Sequence, residues 1–232
     1  MPRPCNRIGS YCVRELSLQG ILSALKPSEA FFSIDEFGPF AVKAKGGLAL
    51  TPPGIIRTIP QWQKSKGCLI LTAALELSGN QVDYFYSEKK NTSEMIKMMR
   101  LLIERYRDRS TIFMSWDAAS WHVSKRLGKE ISLHNETAIV RGLPTVRTAP
   151  LPACAQFLNV IESVFSGMAR AIIHNSDYAS VEHAKQAIGT YFSERNSQFQ
   201  KVPRRAGKKI WGRERVQAVF RVGNNCKDPR YR

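Results

Sequence analysis

The chain has 232 residues, of which 43% are hydrophobic, so it can bury a sizeable core in one globular domain with an extension. No apolar run approaches the roughly 18 residues of a membrane span, and residues 1–12 are too polar for a signal peptide. The five cysteines are scattered and lack C-x-x-C spacing, which disfavours a disulfide framework or a zinc knuckle and favours a reducing cytoplasm. The formal net charge of +16 indicates a polyanionic partner.

Positive charge is concentrated at the C-terminal end of the chain. Residues 195–232 contain 12 Lys and Arg against 2 Asp and Glu. We therefore predict that this basic tail binds a nucleic-acid backbone, the alternative being a solvated, disordered end. The cations that we assign to this role are Lys201, Arg204, Arg205, Lys208, Lys209, Arg213 and Arg215.

The first part of the chain predicts a short extension followed by strands. Residues 1–30 are weakly patterned and too short for an independent DNA-reading domain. Phe31–Gly38 is typical of a buried strand that ends at Asp35 and is closed by the turn formers Gly38 and Pro39. Cys68–Glu76 and Gln81–Tyr86 predict a hairpin.

The rest of the body alternates helices and strands. Asn91 is suited to cap a helix that has Glu94 at its N3 position, and that helix leads into a strand over Ile112–Asp117. A strand, a helix and a parallel strand in succession predict a right-handed crossover. Beyond it the pattern predicts a helix over Ser120–Leu133, strands over Thr137–Arg141 and Thr145–Ala149, and helices over Leu158–Ile173 and Val181–Phe192.

Two of the predicted strands share the pattern Phe-x-Ser-x-Asp, which ends at Asp35 in one and at Asp117 in the other. Side chains alternate across a strand, so each trio lies on one face with its carboxylate at the C-terminal end. If the strands are adjacent and parallel, the two aspartates lie level, a few ångströms apart. Carboxylates that close repel one another unless a proton or a metal lies between them, so the pattern predicts a divalent-metal site.

A third carboxylate comes from the helix that follows. A mixed sheet with crossover helices binds its ligands at the carboxyl ends of its strands, where an acid from a helix can complete a site. Glu162 is the candidate, because its neighbours Ile161, Val164 and Phe165 are apolar and a charge among them calls for a partner. An ordinary exposed glutamate at the edge of the apolar stripe fits the pattern equally well.

Three sequence blocks resemble those of the mariner-like and related bacterial insertion-sequence transposases of the DDE superfamily. Ser33–Glu36 resembles their first block, Trp116–His122 resembles D-N-A-x-x-H, and Leu151–Phe165 resembles L-P-x-x-x-P-x-L-N-P-I-E-x-x-W. The sequence departs from these blocks at Ala118, in place of Asn, and at Phe165, in place of Trp. The resemblance extends from Phe31 to about Phe192.

The resemblance implies an α/β fold of the ribonuclease-H-like type, a mixed five-stranded sheet with flanking helices. It implies that residues 31–194 form the catalytic domain, between the extension at 1–30 and the tail at 195–232. In that family Asp35, Asp117 and Glu162 would be the catalytic residues and would bind two Mg²⁺ or Mn²⁺ ions. Around them, Glu36, His122 and Asn159 are candidates for supporting the carboxylates or contacting DNA.

The implied activity is cleavage and strand transfer of DNA. We expect the chain to act as a homodimer on DNA in the bacterial cytoplasm, associated with the nucleoid, with no membrane contact. The family's helix-turn-helix region has no room before residue 31, so a separately encoded DNA-reading partner is expected. Two alternatives remain: a ribonuclease-H-like nuclease without strand transfer, and a catalytically dead DNA-binding remnant.

Overall fold

The structure is a computed structural model. It describes residue 18 and residues 20–211, except 48–50, 57, 118, 120, 121, 123, 150 and 152–157, and it describes residues 208 and 209 by their backbone alone. Five strands form one mixed sheet in the order β3-β2-β1-β4-β5. The α/β five-stranded fold expected from the sequence is confirmed.

Apart from one predicted strand, the elements follow one another as predicted in kind, with some different bounds. The strands are β1 (Glu29–Ala41), β2 (Cys68–Glu76), β3 (Gln81–Ser87), β4 (Thr111–Ser115) and β5 (Thr145–Thr148). The helices are α1 (Thr92–Arg105), α2 (Lys125–Ala138), α3 (Ile161–Met168) and α4 (Val181–Lys201). A π-helical turn, Ala169–Ile173, follows α3, and a 3-10 turn, Lys208–Trp211, ends the described chain.

Strand β1 lies at the centre of the sheet and is longer than the sequence suggested. It pairs antiparallel with β2 and parallel with β4, and the β4 register ends at Ser33 opposite Ser115. The predicted strand end at Asp35 is wrong, because β2 continues to pair with β1 as far as Ala41. Gly38, at φ +112°, interrupts this register as a bulge instead of ending the strand.

Capping side chains fix where α1 and α2 begin. The Asn91 side chain accepts a hydrogen bond from the Glu94 amide at 3.1 Å, as the sequence predicted for α1. The Ser124 side chain accepts one from Leu127 N, so α2 begins at Lys125 rather than at residue 120. The predicted strand over Thr137–Arg141 is wrong: Thr137 lies in the last turn of α2, and the chain then turns.

The sheet separates two apolar cores, and β1 contributes to both. Phe31 packs in the core beneath α3 and α4, whereas Phe32 and Ile34 pack in the core beneath α1 and α2. Each such fully buried side chain contributes about 1.5–3 kcal/mol relative to an exposed one. Consecutive β1 residues therefore face opposite layers, which decides where the functional side chains of this strand lie.

The C-terminal part of the described chain packs on the body. Helix α4 runs to Lys201, so the expected boundary at residue 194 falls inside it, and the division into a domain and a tail stays a prediction. Ile210 is buried in the core and Ala206 N donates to Leu77 O at 2.8 Å, so the segment after α4 packs back on the body. Among the described helices, none is long and apolar enough to cross a membrane.

Candidate metal centre

Asp35 and Asp117 occupy equivalent places on two neighbouring parallel strands. Each lies two residues beyond the last paired residues, Ser33 on β1 and Ser115 on β4. The two aspartates therefore lie at the same level just beyond the pairing of β1 with β4, as the repeated Phe-x-Ser-x-Asp pattern predicted, while Asp35 still pairs with Ala73 on β2. The Glu36 amide donates to Asp35 Oδ1 at 2.7 Å, and the Ala119 amide donates to Asp117 Oδ1 at 3.1 Å.

Asn159 joins Asp35 to the beginning of α3. Its Nδ2 donates to Asp35 Oδ2 at 2.8 Å, and its Oδ1 accepts from Ser33 Oγ at 2.6 Å. The same hydroxyl oxygen accepts from the Ile161 amide at 3.2 Å. Because Ser33 and Asp35 lie on one face of β1, these three bonds fix the first turn of α3 against that face.

Glu162 lies in the first turn of α3, one residue after the amide that Ser33 binds. Its side chain is exposed, and its charge acts on the Asp35 carboxylate. An acidic residue in the first turn is also favoured by the helix dipole. The structure thus places Glu162 on the side of the sheet that Asp35 faces.

Glu36 faces the opposite layer but reaches the centre through a histidine. His122 Nδ1 lies 2.7 Å from Asp117 Oδ1, and His122 Nε2 lies 3.3 Å from Glu36 Oε1. The side chains of Glu36 and His122 are each only 1% exposed. The imidazole therefore bridges the two carboxylates and fixes the orientation of Asp117.

Negative charges predominate around the Asp35 carboxylate. Burial, with smaller contributions from the negative charges of Asp117, Glu162 and Glu36, raises the pKa of Asp35 to about 7 in spite of the lowering effect of the Glu36 amide bond. Burial by itself would lower the pKa of His122, but hydrogen bonds and charges from Glu36 and Asp117 outweigh it and raise the pKa.

The three carboxylates suit a hard divalent cation by their chemistry. In the part of the chain that the structure describes, no three His, Cys, Asp or Glu side chains are close enough together to hold an ion. Asp35, Asp117 and Glu162 nevertheless offer oxygen ligands alone, which Mg²⁺ and Mn²⁺ prefer. The raised pKa of Asp35 reports the repulsion and desolvation that a bound cation would relieve.

Sequence reasoning named Glu36, His122 and Asn159 as candidates for supporting the carboxylates. In the structure Asn159 contacts Asp35 and His122 contacts Asp117. The Glu36 amide contacts Asp35, and its carboxylate contacts His122. Sequence reasoning missed the role of Ser33. The signal was present, because Ser33 is two residues from Asp35 and so shares its face.

The structure describes five of the seven cations that we assign to DNA binding, two of them by their backbone alone. Lys201 ends α4, and Arg204 and Arg205 are exposed in the segment that follows it. Lys208 and Lys209 lie in the 3-10 turn, while Arg213 and Arg215 are outside the described residues. Their contact with DNA stays a prediction.

Several solved structures of one transposase, Mos1, share the fold of this chain. The chain is similar to the Mos1 transposase paired-end complex with the left transposon end (16% identity, TM-score 0.58, 91% of this chain and 59% of that chain). It is similar to the catalytic domain of Mos1 mariner transposase (16% identity, TM-score 0.56, 91% and 89%). A Mos1 paired-end complex with Mn matches at 17% identity and a TM-score of 0.57, over 91% and 62%.

These matches confirm the expected fold, and the chain spans about three fifths of the transposase chain in the paired-end complex, 59%. No curated protein sequence matches the chain. The family model described as DDE superfamily endonuclease matches residues 31–185, which is more than half of the sequence and contains every residue of the candidate centre. The chain therefore belongs to the DDE superfamily of endonucleases.

Proposed function

We propose that the chain is the catalytic domain of a DNA transposase, which cleaves DNA strands and joins them to a target with the aid of two divalent ions, Mg²⁺ or Mn²⁺. One observation carries the proposal: Asp35 and Asp117 lie level on neighbouring parallel strands, and Asn159 ties Asp35 to the beginning of α3, whose first turn contains Glu162. In agreement with this, burial and the neighbouring negative charges raise the pKa of Asp35 to about 7. Such a cluster of acids favours cations, and perturbed carboxylates of this kind concentrate at functional sites.

The residues of the chain would orient the carboxylates rather than react themselves. Asp35, Asp117 and Glu162 would hold the ions, which supply an activated water or terminal hydroxyl and stabilise the departing oxygen in an in-line displacement at phosphorus. Asn159 directs Asp35 Oδ2, and the Glu36 amide directs Oδ1. His122 directs Asp117. Because water or a DNA hydroxyl is the nucleophile, the protein needs no nucleophilic side chain.

The finer statements on partners belong to the same proposal. The substrate would be DNA, on which the chain would work as a homodimer together with a DNA-reading partner. That substrate would place it on the bacterial nucleoid in the cytoplasm. The net charge of +16 supports a polyanionic substrate. The similar Mos1 complexes contain transposon ends, which supports DNA as the partner without fixing its sequence.

A nicking assay on supercoiled DNA tests the activity. Wild-type protein should nick with Mg²⁺ or Mn²⁺ and not in EDTA, and Asp35→Asn, Asp117→Asn and Glu162→Gln should each abolish nicking. Each substitution keeps the shape of the side chain but removes one charge, so ions are lost while DNA binding persists. Glu194→Gln, a change of the same kind on α4, is the matched control and should leave nicking unchanged.

Joining distinguishes a transposase from a plain nuclease. Oligonucleotides with a free 3′ hydroxyl should become linked to a target plasmid in a reaction that depends on the same three carboxylates. Nicking without joining would leave the nuclease alternative. If no metal produces nicking and none raises the melting temperature, the proposed function fails and the dead DNA-binding remnant remains.

A further inference from the structure

A groove opens at the end of the sheet opposite to the candidate metal centre. It lies where β1 and β3 begin and β2 ends, its lining includes Glu29, Glu76 and Gln81, and its volume is about 960 Å³. Asp35 is six residues further along β1 than Glu29, which places the two about 20 Å apart at the rise of an extended strand. The groove is therefore separate from the candidate metal centre.

Positive side chains from three separate segments line this groove. They are Lys26, Arg109, Arg204 and Arg205. The two acidic side chains in the lining are bonded to backbone amides instead: Glu76 accepts from Ser78 N at 2.9 Å and from Gly79 N, and Glu29 accepts from Lys26 N at 3.0 Å. Within the described residues neither acid forms an ion pair with the four cations. Arg109 pairs instead with Asp108 at 3.4 Å and donates to Pro27 O, so the positive charge open to the groove comes mainly from Lys26, Arg204 and Arg205.

One of these cations is held in a fixed plane. The Arg205 guanidinium lies over the Trp211 ring, 4.6 Å from its centroid, and Trp211 Nε1 donates to Ala206 O at 2.7 Å. A guanidinium stacked on an aromatic ring keeps its edge N–H groups available to an anion. Lys26 and Arg204 are exposed, and their side chains make no hydrogen bond or ion pair with other residues that the structure describes.

We propose that this basic groove binds the phosphodiester backbone of nucleic acid, as a contact separate from the metal centre. The proposal takes DNA from the proposed function as the partner and adds where the protein holds it. Charge complementarity and the planar guanidinium favour phosphate over other anions, since arginine forks match phosphate geometry. The groove also gives Arg204 and Arg205 a defined place, in a surface shared with Lys26 and Arg109, instead of a role in a loose tail.

A matched pair of double variants tests the groove. Lys26→Gln with Arg204→Gln removes two groove charges, and Lys129→Gln with Arg141→Gln removes two exposed charges at α2 and the turn after it, outside the groove lining. Binding of a labelled duplex and of its single strand is measured by fluorescence anisotropy in EDTA over a range of salt concentrations. The slope of log affinity against log salt on duplex should fall by about 1.8 for the groove pair, at about 0.9 per phosphate contact. The control pair should change it by less than half as much.

Other outcomes overturn the proposal. Equal slopes for the two pairs would remove the groove as a DNA contact. So would a groove pair that loses affinity for poly-glutamate but not for DNA, which would indicate an acidic protein partner. Thermal melts check that both pairs fold, and Arg204→Gln with Arg205→Gln replaces the first pair if it does not.

The proposal for the groove and the proposed activity can be contradicted independently of each other. Both double variants keep the three carboxylates, so nicking is scored on them independently of the affinity in EDTA. A protein that nicks while its groove pair binds like the control loses only the groove proposal. A protein that binds through the groove but never nicks with any metal loses only the proposed function.

Discussion

Asp35 and Glu36 are neighbours in sequence, yet they lie in opposite environments on the two faces of β1. Asp35 faces α3, where burial and three negative charges raise its pKa to about 7 and Asn159 supplies one neutral amide. Glu36 faces α1 and α2, where its side chain is 1% exposed and one oxygen lies 3.3 Å from the His122 imidazole. The surroundings of Asp35 oppose its charge, whereas the Glu36 carboxylate has a histidine hydrogen-bond partner within reach.

This difference in environment indicates different roles for Asp35 and Glu36. An acid with uncompensated charge destabilises the metal-free fold. Such destabilising groups are typical of functional sites, where a bound ligand relieves the repulsion. An acid that is buried and paired costs little in place but costs much when its partner is removed. We therefore expect Asp35 to matter for activity and to cost stability, and the Glu36–His122 pair to matter for both.

The largest expected effect separates the two acids by activity. Asp35→Asn should lower the nicking rate by about 1000-fold or more, since the bound ions supply several kcal/mol of transition-state stabilisation. Glu36→Gln should lower it by about 10–100-fold, the usual range for residues that orient metal ligands. Initial rates on supercoiled DNA at saturating Mn²⁺ measure both. Equal losses would contradict the division of roles.

The next effect is on the pH dependence of stability without metal. The folded-state pKa of Asp35, about 7, is above its ordinary value of 3.8, so the folded state binds this proton more tightly. That stabilisation is complete below about pH 3.8 and is lost as the pH rises through about 7. The free energy of unfolding of wild type relative to Asp35→Asn should therefore fall over this range by up to about 4 kcal/mol.

Urea denaturation in EDTA at a series of pH values measures that difference. Because both proteins share every other titrating group, their difference reports Asp35 together with its coupling to the neighbouring acids. Excess Mg²⁺ should reverse the trend for wild type alone, since only the ionised carboxylate binds the ion. A difference that does not depend on pH would show that Asp35 titrates as an ordinary exposed carboxylate.

A third, smaller effect concerns the imidazole between the two carboxylates. His122→Ala should lower the free energy of unfolding by about 1–3 kcal/mol, because the buried Glu36 oxygen loses a hydrogen-bond partner. His122→Asn offers a donor on a shorter side chain and should recover part of the loss. A double variant with Glu36→Gln should lose less than the sum of its single changes, because the two side chains interact directly.

The sequence predicted the Asp35 face of the centre better than the Glu36 face. A period of two places Ser33, Asp35 and their β4 counterparts on one side, so the level aspartates follow from spacing once the two strands are adjacent and parallel, as they are. The contact of Glu36 with His122 depends on how the chain turns after β4, and no local pattern gives that path. The alternation of side chains along a strand places Glu36 on the opposite face. It does not predict that His122 contacts both Glu36 and Asp117.

The errors in the fold have similar causes. Gly38 and Pro39 are turn formers, but pairing with β2 on both sides of them outweighs their local preference and leaves a bulge. Ile139 and Val140 favour a strand by type, yet they are 80% and 91% exposed in the turn that follows α2. Their β-propensity has no sheet neighbour to act on, since it expresses packing against other strands.

The last effect, similar in size to that of His122→Ala, tests the Asp35 face through Ser33. Its hydroxyl donates to Asn159 Oδ1 and accepts from the Ile161 amide, so Ser33→Ala removes both bonds while leaving every carboxylate in place. Unfolding should become easier by about 0.5–1.5 kcal/mol for each bond lost. Asn159 then loses the hydrogen bond from Ser33, so it holds the Asp35 carboxylate less firmly. The Mg²⁺ concentration that gives half of the maximal rise in melting temperature should therefore increase several-fold. Ser33→Thr keeps the hydroxyl and should restore the metal response if its methyl group fits. A Ser33→Ala protein that is less stable but responds to Mg²⁺ like wild type would show that these bonds serve folding alone, and that Asp35 is oriented by the Glu36 amide without help from α3.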